Sequence, residues 1–391
     1  MKVNDIIIIG AGASGLAAAI TAARINPQAC ILILEKKDKP GAKLAATGNG
    51  RCNITNLACP GYRNTLRFFE SVGILAREEN EGRFYPYTGK ASDVVHALIR
   101  TAKALGIEIA CGAEVASVEK GEQIFHVALT DGRQLEARKL LIAAGGKAAP
   151  QYGTSGDGAK LAKALGHSVT KLAPALSSID IKGADGSLKG IRVKAKVSLY
   201  LNDKDRAEER LLASELGELQ FTEKGISGVC VFNLSRLLEI DDKKSFEDYE
   251  AEIDFAPDMD LNTVEELLSE RESIEGMTKE EILSGIVDDR IAEIIASRVS
   301  REKYATKPSA DFAAELKAFR LKVSSAGGWK AAQCTRGGVP LSEVDSETME
   351  SRICPGLFLT GEVLDYDGPC GGFNLQHAWE TGMKAGETMA K

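Results

Sequence analysis

The strongest constraint on the fold is a glycine-rich turn near the amino terminus, set between an apolar run and an alanine-rich run. Ile6–Ile9 is β-branched, too short for a helix and suited to a buried parallel strand. Gly10–Gly15 follows at once with the spacing G-x-G-x-x-G, and Leu16–Ile25 is typical of a helix. A second apolar run then ends in Glu35. This order predicts the first βαβ unit of a dinucleotide-binding domain.

Each glycine of this motif has its own physical task. Gly10 permits the tight turn, Gly12 lets a pyrophosphate approach the backbone, and Gly15 lets the helix pack closely on the strand. Free N–H groups and the helix dipole then favour the phosphates. Glu35, about twenty residues further on, can accept hydrogen bonds from a ribose 2′-OH and would repel a 2′-phosphate. The motif therefore disfavours NADP at this site but does not choose between FAD and NAD.

A second glycine-rich stretch, residues 40–53, follows soon after Glu35. It carries Gly48, Gly50, Arg51 and Asn53. A domain that binds only NAD would normally turn straight into another helix here, whereas a loop can wrap a larger ligand and bring hydrogen-bond donors to it. We therefore expect a loop that contacts FAD, with an ordinary surface loop as the alternative.

Together, G-A-G-A-S-G-L-A-A-A and K-L-A-A-T-G-N-G-R-C-N-I-T-N closely resemble the BaiN/YhiN-type FAD-dependent flavoproteins. The T-G-N-G-R-C-N and G-G-F-N-L-Q blocks are specific to that family, and the nucleotide motifs are shared with many flavoproteins. The resemblance extends over nearly the whole chain, through Gly82–Pro86, Lys90–Val94, Leu141–Gly146, Thr154–Gly158, Gly217–Thr222, Gly225–Gly228, Gly361–Glu362 and Gly368–Gln376. It implies an α/β fold: a Rossmann-like FAD-binding domain with an inserted antiparallel β domain and a small helical subdomain.

The resemblance also implies where the cofactor is held. It places the backbone of Val115 against the adenine, Glu362 near the ribityl or phosphate, and Asn374, Leu375 and Gln376 near the flavin ring. The start of the last predicted helix would offer free N–H groups to the negative charge of a reduced flavin. The expected FAD-binding residues are Gly10, Gly12, Ala13, Ser14, Gly15, Glu35, Lys36, Lys43, Thr47, Gly48, Gly50, Arg51, Cys52, Asn53, Val115, Ala144, Gly145, Gly361, Glu362, Gly372, Asn374 and Leu375.

Hydrophobic patterning predicts that the chain is divided into three domains or subdomains. Strict alternation in Ile191–Leu201 and Tyr249–Phe255 indicates half-exposed antiparallel strands, the basic face of one suited to the acidic face of the other. Charged helices follow, with a capping box at Thr278–Glu281. The predicted divisions are an FAD-binding domain at 1–175 and 326–391, a β-rich insertion at 176–260 and 318–325, and a helical lid at 261–317.

The flanking elements of the first domain are predicted in the same way. The pattern favours a helix from Ser92 to Leu105 and a last helix at Asn374–Ala390. The predicted strands are Ile107–Cys111, Val115–Glu119, Ile124–Leu129, Gln134–Arg138 and Leu140–Ala144, with a hairpin turn at Asp131-Gly132.

Candidate catalytic groups lie within the family-specific blocks. Arg51 is a candidate anchor for a carboxylate or carbonyl oxygen, and Tyr85 and His377 are candidate proton donors. Arg83 and Arg336 are alternative anchors, and Tyr87 is an alternative donor. Cys52 and Cys370 are expected to be buried, inert thiols rather than redox-active groups. No hydrolase, kinase or metal-binding motif is present in the sequence.

The resemblance implies hydride transfer from flavin N5 to an activated carbon–carbon double bond, such as that of a 3-oxo-Δ4,6 bile-acid intermediate. NAD(P)H is the expected transient reductant, although the chain has no second nucleotide-binding motif. An alternative within the family is a flavin amine oxidase of the aminoacetone type, which makes hydrogen peroxide. A third possibility is a flavin-binding protein without turnover.

Composition limits the partners. The 391 residues carry 49 Lys and Arg against 56 Asp and Glu, a net charge of −7, which argues against nucleic acid as a partner and so against an RNA-modifying enzyme. The 8 cysteines are scattered, as in a cytoplasmic protein with reduced thiols. No targeting segment or membrane span is predicted. A small-molecule substrate is expected, and the protein is expected to be a monomer or a homodimer.

Overall fold

The structure is a computed structural model that describes residues 3–203, 208–241, 243–301 and 308–391. The chain divides into two compact units. The first unit contains the chain up to Ala175 and again from Trp329 onwards, and the second unit is Leu176–Gly328. The second unit is therefore an insertion into the first.

Most of the first unit precedes the insertion. Up to Ala175 it contains β1 (Val3–Ile9), α1 (Ala13–Ile25), β2 (Ile31–Glu35), α2 (Ala42–Gly50), β3 (Thr55–Asn56), α3 (Tyr62–Ser71), β4 (Ala76–Glu78), β5 (Arg83–Pro86), α4 (Ala91–Ala104), β6 (Glu108–Cys111), β7 (Val115–Lys120), β8 (Phe125–Leu129), β9 (Gln134–Ile142), α5 (Asp157–Ala164) and β10 (Ala173–Ala175).

The second unit contains β11 (Ile179–Ile181), β12 (Arg192–Asp203), β13 (Glu208–Phe221), β14 (Gly225–Ser227), α6 (Val229–Ser235), β15 (Tyr249–Asp254), α7 (Leu261–Glu272), α8 (Lys279–Leu283), α9 (Asp289–Arg301), α10 (Pro308–Lys317) and β16 (Phe319–Ala326). The chain then returns to the first unit with β17 (Cys334–Arg336), β18 (Leu357–Leu359) and α11 (Phe373–Met389).

The main sheet of the first unit has the strand order β6-β2-β1-β9-β8-β7, and β18 also pairs with β9. The strands β6, β2, β1, β9 and β18 are parallel, and β8 and β7 run antiparallel to their neighbours. The side chains of Ile6–Ile8 are fully buried, as expected for a strand covered on both faces. The predicted Rossmann-like α/β fold is confirmed.

One strand boundary differs from the prediction. The expected strands at 134–138 and 140–144 are a single strand, Gln134–Ile142. Its first half pairs with β8, and its second half pairs with β18 from the far end of the chain. The change of neighbour explains the change of hydrophobic pattern that suggested two strands.

The second unit is built on a closed antiparallel barrel with the order β11-β14-β13-β12-β15-β16. The predicted pairing of the two alternating strands is confirmed: β12 and β15 are antiparallel neighbours, and Lys196 lies opposite Asp254. The ion pairs themselves form with other elements: Asp254 binds Lys317 at 2.7 Å, and Arg320 of β16 binds Glu252 at 3.0 Å.

The helices α7–α10 belong to the same compact unit as the barrel. The predicted capping box at the start of α8 is confirmed, since Thr278 and Glu281 each accept a hydrogen bond from the other's backbone N–H. That these helices form a separate lid domain stays a prediction.

Candidate functional site

The glycine-rich turn connects β1 to α1 at the carboxyl end of the parallel strands. Gly10 has φ +106°, and a Cβ there would lie 2.5 Å from the carbonyl oxygen of Ala143. A Cβ on Gly15 would lie 2.0 Å from the carbonyl oxygen of Gly10. A Cβ on Gly12, by contrast, would meet no atom within 4 Å. Gly10 and Gly15 are therefore required by the fold, whereas Gly12 leaves open space in front of the N-terminus of α1.

Glu35 ends β2 and lies beside this turn. Its Oε2 accepts a hydrogen bond from the backbone N–H of Ala11 at 3.0 Å, and its Oε1 accepts one from the N–H of Lys37 at 2.9 Å. The carbonyl oxygen of Glu35 accepts from the N–H of Ala113 at 2.9 Å. That bond brings Val115, two residues further on, to the same edge of the sheet.

Lys36 is oriented away from the turn. Its Nζ lies 2.5 Å from Asp157 Oδ2 and 2.7 Å from Ser155 Oγ, at the start of α5. The Thr154–Gly158 block of the family resemblance therefore binds Lys36, a pairing that the sequence analysis missed. The family resemblance had singled out Lys36 and the Thr154–Gly158 block separately, and no sequence pattern indicated that the two would be in contact.

The prediction of a loop at 40–53 was wrong for its first half, because Ala42–Gly50 is a helix. Its sequence K-L-A-A has high helix propensity, and Leu44 is buried. The helix is interrupted at Thr47–Asn49, and Gly48, Asn49, Gly50 and Cys52 all have positive φ. The predicted non-helical backbone is therefore confined to residues 47–53. A long loop consequently gives no argument for FAD over NAD.

Glu362 links three segments that are far apart in the sequence. Its Oε2 lies 2.6 Å from Lys43 Nζ, and its Oε1 accepts from the N–H of Thr335 at 2.7 Å. The hydroxyl of Thr335 in turn accepts from the N–H groups of Lys147 and Ala148 at 2.8 and 2.9 Å. This network joins α2, β17 and the segment after β9, and Thr335 was not among the predicted residues.

A second network joins β3 to the start of α11. Thr55 Oγ1 donates to Gln376 Oε1 at 2.6 Å, and both side chains are buried. Asn56 Nδ2 donates to the carbonyl oxygen of Gly371 at 3.0 Å. Trp379 Nε1 donates to the carbonyl oxygen of Ile54 at 3.0 Å. The family-specific blocks at the two ends of the chain therefore form one continuous structure.

The same contact brings Asn53 to the first turn of α11. Its side chain is buried, and its Oδ1 has no hydrogen-bond partner within the described residues. A Cβ on Gly372, the residue before α11, would lie 3.0 Å from this Oδ1. An unsatisfied buried carbonyl is costly unless a ligand or water supplies a donor.

The side chain of Asn374 has a structural partner. Its Oδ1 accepts from the N–H of Gly368 at 2.8 Å, and its Nδ2 donates to the carbonyl oxygen of Gly368 at 2.9 Å. The amide thereby closes the loop before α11. Leu375 is partly buried against the core of this unit.

The other predicted cofactor residues lie around these networks. Ser14 is buried, with its Oγ 2.8 Å from where a Cβ on Gly361 would be. Gly145 has φ +73° and lies three residues after the end of β9. Burial raises the pKa of the Cys52 thiol to about 12, so this thiol is neutral at pH 7.

Arg51 is exposed and binds Glu79, with Nη2 at 2.7 and 2.8 Å from the two carboxylate oxygens. Its guanidinium also lies over the ring of Tyr85, 4.2 Å from the ring centre. Arg77 lies over the ring of Tyr87 in the same way, with its Cζ 5.7 Å from the ring centre. Two of the three predicted catalytic residues are therefore in contact with each other, and the partner Glu79 was not predicted.

His377 lies in the first turns of α11, with its ring stacked on Tyr366 at 4.1 Å between centres. Burial lowers the pKa of its imidazole to about 4, and a hydrogen bond to the Gly361 backbone acts in the opposite direction. The ring is therefore neutral at pH 7. Its Nε2 is buried without a partner among the described residues.

The alternative anchors differ in their surroundings. Arg83 pairs with Glu81, and its Nε is buried without a hydrogen-bond acceptor in the described part of the chain. Arg336 lies on β17, opposite Ala173. Burial raises the pKa of Cys370, as expected for an unreactive thiol.

The site as a whole fits a flavin dinucleotide. Gly12 borders open space at a helix N-terminus, which suits a pyrophosphate. Asn53 Oδ1 and His377 Nε2 are buried polar atoms without partners among the described residues, and both lie beside the start of α11, where the flavin ring is expected. No group of three or more side chains suited to a metal ion occurs in the described residues. None of the described helices combines the length and apolar character that a membrane crossing requires.

Comparison with known proteins agrees with this arrangement. The HI0933-like protein Rossmann domain matches residues 4–62 and 57–388. A 3-dehydro-bile acid delta(4,6)-reductase of Clostridium scindens is 35% identical over 99% of each chain. A ribosomal RNA dihydrouridine synthase of Escherichia coli is 28% identical, over 97% of this chain and 96% of the relative.

Solved structures share the fold at low sequence identity. A 3-ketosteroid-delta4-(5alpha)-dehydrogenase from Rhodococcus jostii is 16% identical, with a TM-score of 0.50 over 99% of this chain and 97% of the other. A flavocytochrome c3 fumarate reductase has the same identity and TM-score, over 100% of this chain and 78% of the other. Fold and relatives together define an FAD-dependent oxidoreductase. Within that class, the chain belongs to the HI0933-like Rossmann-domain family.

Proposed function

We propose that this enzyme reduces an activated carbon–carbon double bond of a small molecule, with FAD as cofactor and NAD(P)H as reductant. The observation that carries the proposal is the 35% identity to a bile-acid delta(4,6)-reductase along the full length of both chains. An enone with a steroid-like or bile-acid-like skeleton is the substrate class that this similarity supports.

The FAD-binding residues are proposed as predicted from the sequence, with three refinements from the geometry. Glu35 accepts a hydrogen bond from the turn itself, so it binds the ribose with its remaining lone pairs. Lys36 and Lys43 are committed to Asp157 and Glu362, and they contribute positive charge rather than a free side chain. Asn374 contributes its backbone.

When bound, FAD supplies the hydride that the β-carbon of the enone accepts. The chain's own task is to polarise the carbonyl and to deliver a proton to the α-carbon. We assign the first role to Arg51, whose guanidinium exchanges Glu79 for the substrate oxygen, and the second to the hydroxyl of Tyr85 beneath it. His377 is neutral and serves as a hydrogen-bonding group next to the flavin rather than as an acid.

Steady-state consumption of NADH and NADPH by the flavin-loaded enzyme, without oxygen and with a 3-oxo-Δ4,6 steroid acid, tests this proposal. Arg51→Gln should lower kcat/KM by roughly ten- to a hundredfold, the loss expected for a charge-assisted hydrogen bond. Glu79→Gln is the matched control, because it breaks the same ion pair but leaves the guanidinium in place. Equal losses in both variants would show that the ion pair, not contact with substrate, is what matters.

A second candidate is reduction of a uridine double bond in ribosomal RNA, which the similarity to the ribosomal RNA dihydrouridine synthase of Escherichia coli favours. That double bond is also conjugated to a carbonyl, so the same chemistry would serve. The net charge of −7 speaks against an extended RNA surface. Incubation with ribosomal RNA from a strain that lacks the modification, followed by mass spectrometry of nucleosides, decides between the two substrates.

An oxidase reaction on aminoacetone is tested in the same preparation by peroxide formation in air. If no reductant or amine bleaches the flavin, a non-catalytic flavin-binding role is favoured instead. We further propose a cytoplasmic location, supported by the 8 cysteines, all of which are free thiols. A monomer or homodimer is proposed for solution and is tested by light scattering.

A further inference from the structure

Asn53 has a buried side-chain carbonyl and is held beside helix α11. Only 9% of the residue is exposed, and none of the residues that the structure describes donates to its Oδ1. The carbonyl oxygen of the next residue, Ile54, accepts from Trp379 Nε1 at 3.0 Å. Thr55 Oγ1 donates to Gln376 Oε1 at 2.6 Å. These two bonds to α11 fix the backbone that carries Asn53.

The start of α11 supplies hydrogen-bond donors next to this carbonyl. The first bond of the helix runs from the N–H of Gln376 to the carbonyl oxygen of Gly372 at 2.9 Å, so the N–H groups of residues 373–375 have no acceptor within the helix. Gly372 has no side chain to cap them, and a Cβ there would lie 3.0 Å from Asn53 Oδ1. The buried acceptor and the free N–H groups therefore border the same turn.

This combination of groups is complementary to one edge of the flavin ring. On the pyrimidine side of oxidised flavin, the carbonyls at C2 and C4 accept hydrogen bonds, and the N3–H between them is the only donor of the ring system. A helix N-terminus supplies donors to a carbonyl, whereas the side-chain carbonyl of Asn53 can only accept. An acceptor beside free N–H groups therefore suits an N–H that lies beside a carbonyl.

We propose that Asn53 Oδ1 accepts a hydrogen bond from flavin N3–H, with the C2 carbonyl at the free N–H groups of α11. The proposal rests on the FAD site proposed above and adds which ring atom Asn53 binds and what it selects, namely flavins with an unsubstituted N3. A donor at this position removes the cost of a buried unsatisfied carbonyl, so N3–H contributes more to affinity than an exposed hydrogen bond does. A methyl group on N3 removes this donor and collides with the amide of Asn53.

Fluorescence titration of the apoprotein with FAD and with 3-methyl-FAD tests the proposal without any turnover. The unmodified protein should bind FAD about ten- to a hundredfold more tightly than 3-methyl-FAD. In Asn53→Ala this preference should fall below about threefold, since both the acceptor and the collision are gone. The ratio is taken within each variant, so a general weakening cancels. Asn4→Ala is the matched control and should keep the full preference, because Asn4 is equally buried but lies at the other end of β1 from the glycine-rich turn.

A second variant, Asn53→Asp, tests whether the acceptor is the group that matters. Aspartate keeps an oxygen at this position but has no N–H, so a preference for FAD of at least about tenfold should remain, whereas a bond donated by the amide nitrogen would be lost. Thermal unfolding shows whether each variant retains the fold.

Three results would overturn the proposal: a preference below about threefold in the unmodified protein, an unchanged preference in Asn53→Ala, or a lost preference in Asn53→Asp. Enone reduction by the flavin-loaded enzyme is measured in the same preparation. If that reaction occurs while the preference is absent, only the role of Asn53 is refuted. If the preference is present without that reaction, only the proposed function is refuted. A protein that binds no FAD would refute both.

Discussion

The substitution Thr55→Val tests whether the two ends of the chain form one cofactor site. Thr55 and Gln376 are separated by 321 positions, and their side chains form a buried hydrogen bond of 2.6 Å. Valine has nearly the same shape as threonine but donates no hydrogen bond, so Gln376 Oε1 is left without its donor. An orphaned buried acceptor costs about 1–3 kcal/mol. For a unit of this size each kcal/mol lowers Tm by roughly 2–4 °C, so we expect a decrease of about 2–12 °C.

The assay follows thermal unfolding by circular dichroism and by the fluorescence of released flavin in one sample. If the bond joins the two parts of the site, flavin release and loss of structure in the first unit should shift together. Thr65→Val is the matched control, since Thr65 is also fully buried but its hydroxyl has no partner among the described residues. That control should be neutral or slightly stabilising. Equal shifts for both variants, or no shift in flavin release for Thr55→Val, would refute the reasoning.

Three further predictions concern the same unit. Gly12→Ala should leave the Tm of the apoprotein unchanged but abolish FAD binding, because the added Cβ enters open space where a phosphate would approach; FAD binding by this variant would contradict the prediction. Gly15→Ala should instead lower the free energy of unfolding by about 1–3 kcal/mol, because its Cβ would lie 2.0 Å from the carbonyl oxygen of Gly10. Glu35→Ala should raise the Kd for FAD roughly ten- to a hundredfold in titrations of the apoprotein, with unchanged affinity as the contrary result. The pKa of His377 is about 4 in the folded protein and 6.5 in the unfolded chain, so the unfolded chain binds a proton first as the pH falls. The free energy of unfolding should therefore decrease by up to about 3 kcal/mol between pH 6.5 and 4. In urea unfolding, the free energy of unfolding of His377→Phe should depend less on pH over this range.

Local sequence patterns correctly predicted those helices and strands whose formation depends on neighbouring residues. Period-two alternation in β12 and β15 predicted both strands and their pairing, and the register itself came from the structure. The capping box before α8 needs only four consecutive residues. The same local reasoning failed at α2, because the glycines of residues 48 and 50 suggested a loop where the preceding alanines form a helix.

Partners of the site residues depended on the tertiary structure. Arg51 was singled out by its motif, but only folding places Glu79 beside it and Tyr85 beneath it. His377 was a plausible acid by sequence, and burial lowers the pKa of its imidazole to about 4, which makes the protonated form rare at pH 7. A pKa depends on solvent access and neighbouring charge, and neither can be read from the order of residues.

By itself the sequence predicted a strand, a glycine-rich turn and a helix suited to a dinucleotide, because Gly10 permits the turn, Gly12 leaves space and Gly15 allows the helix to pack closely. The tertiary structure alone decided which distant segments of the first unit meet: Thr55 with Gln376, and Lys43 with Glu362. Such contacts join segments more than 300 positions apart. Their formation depends on the packing of whole elements, which no local pattern of residues encodes.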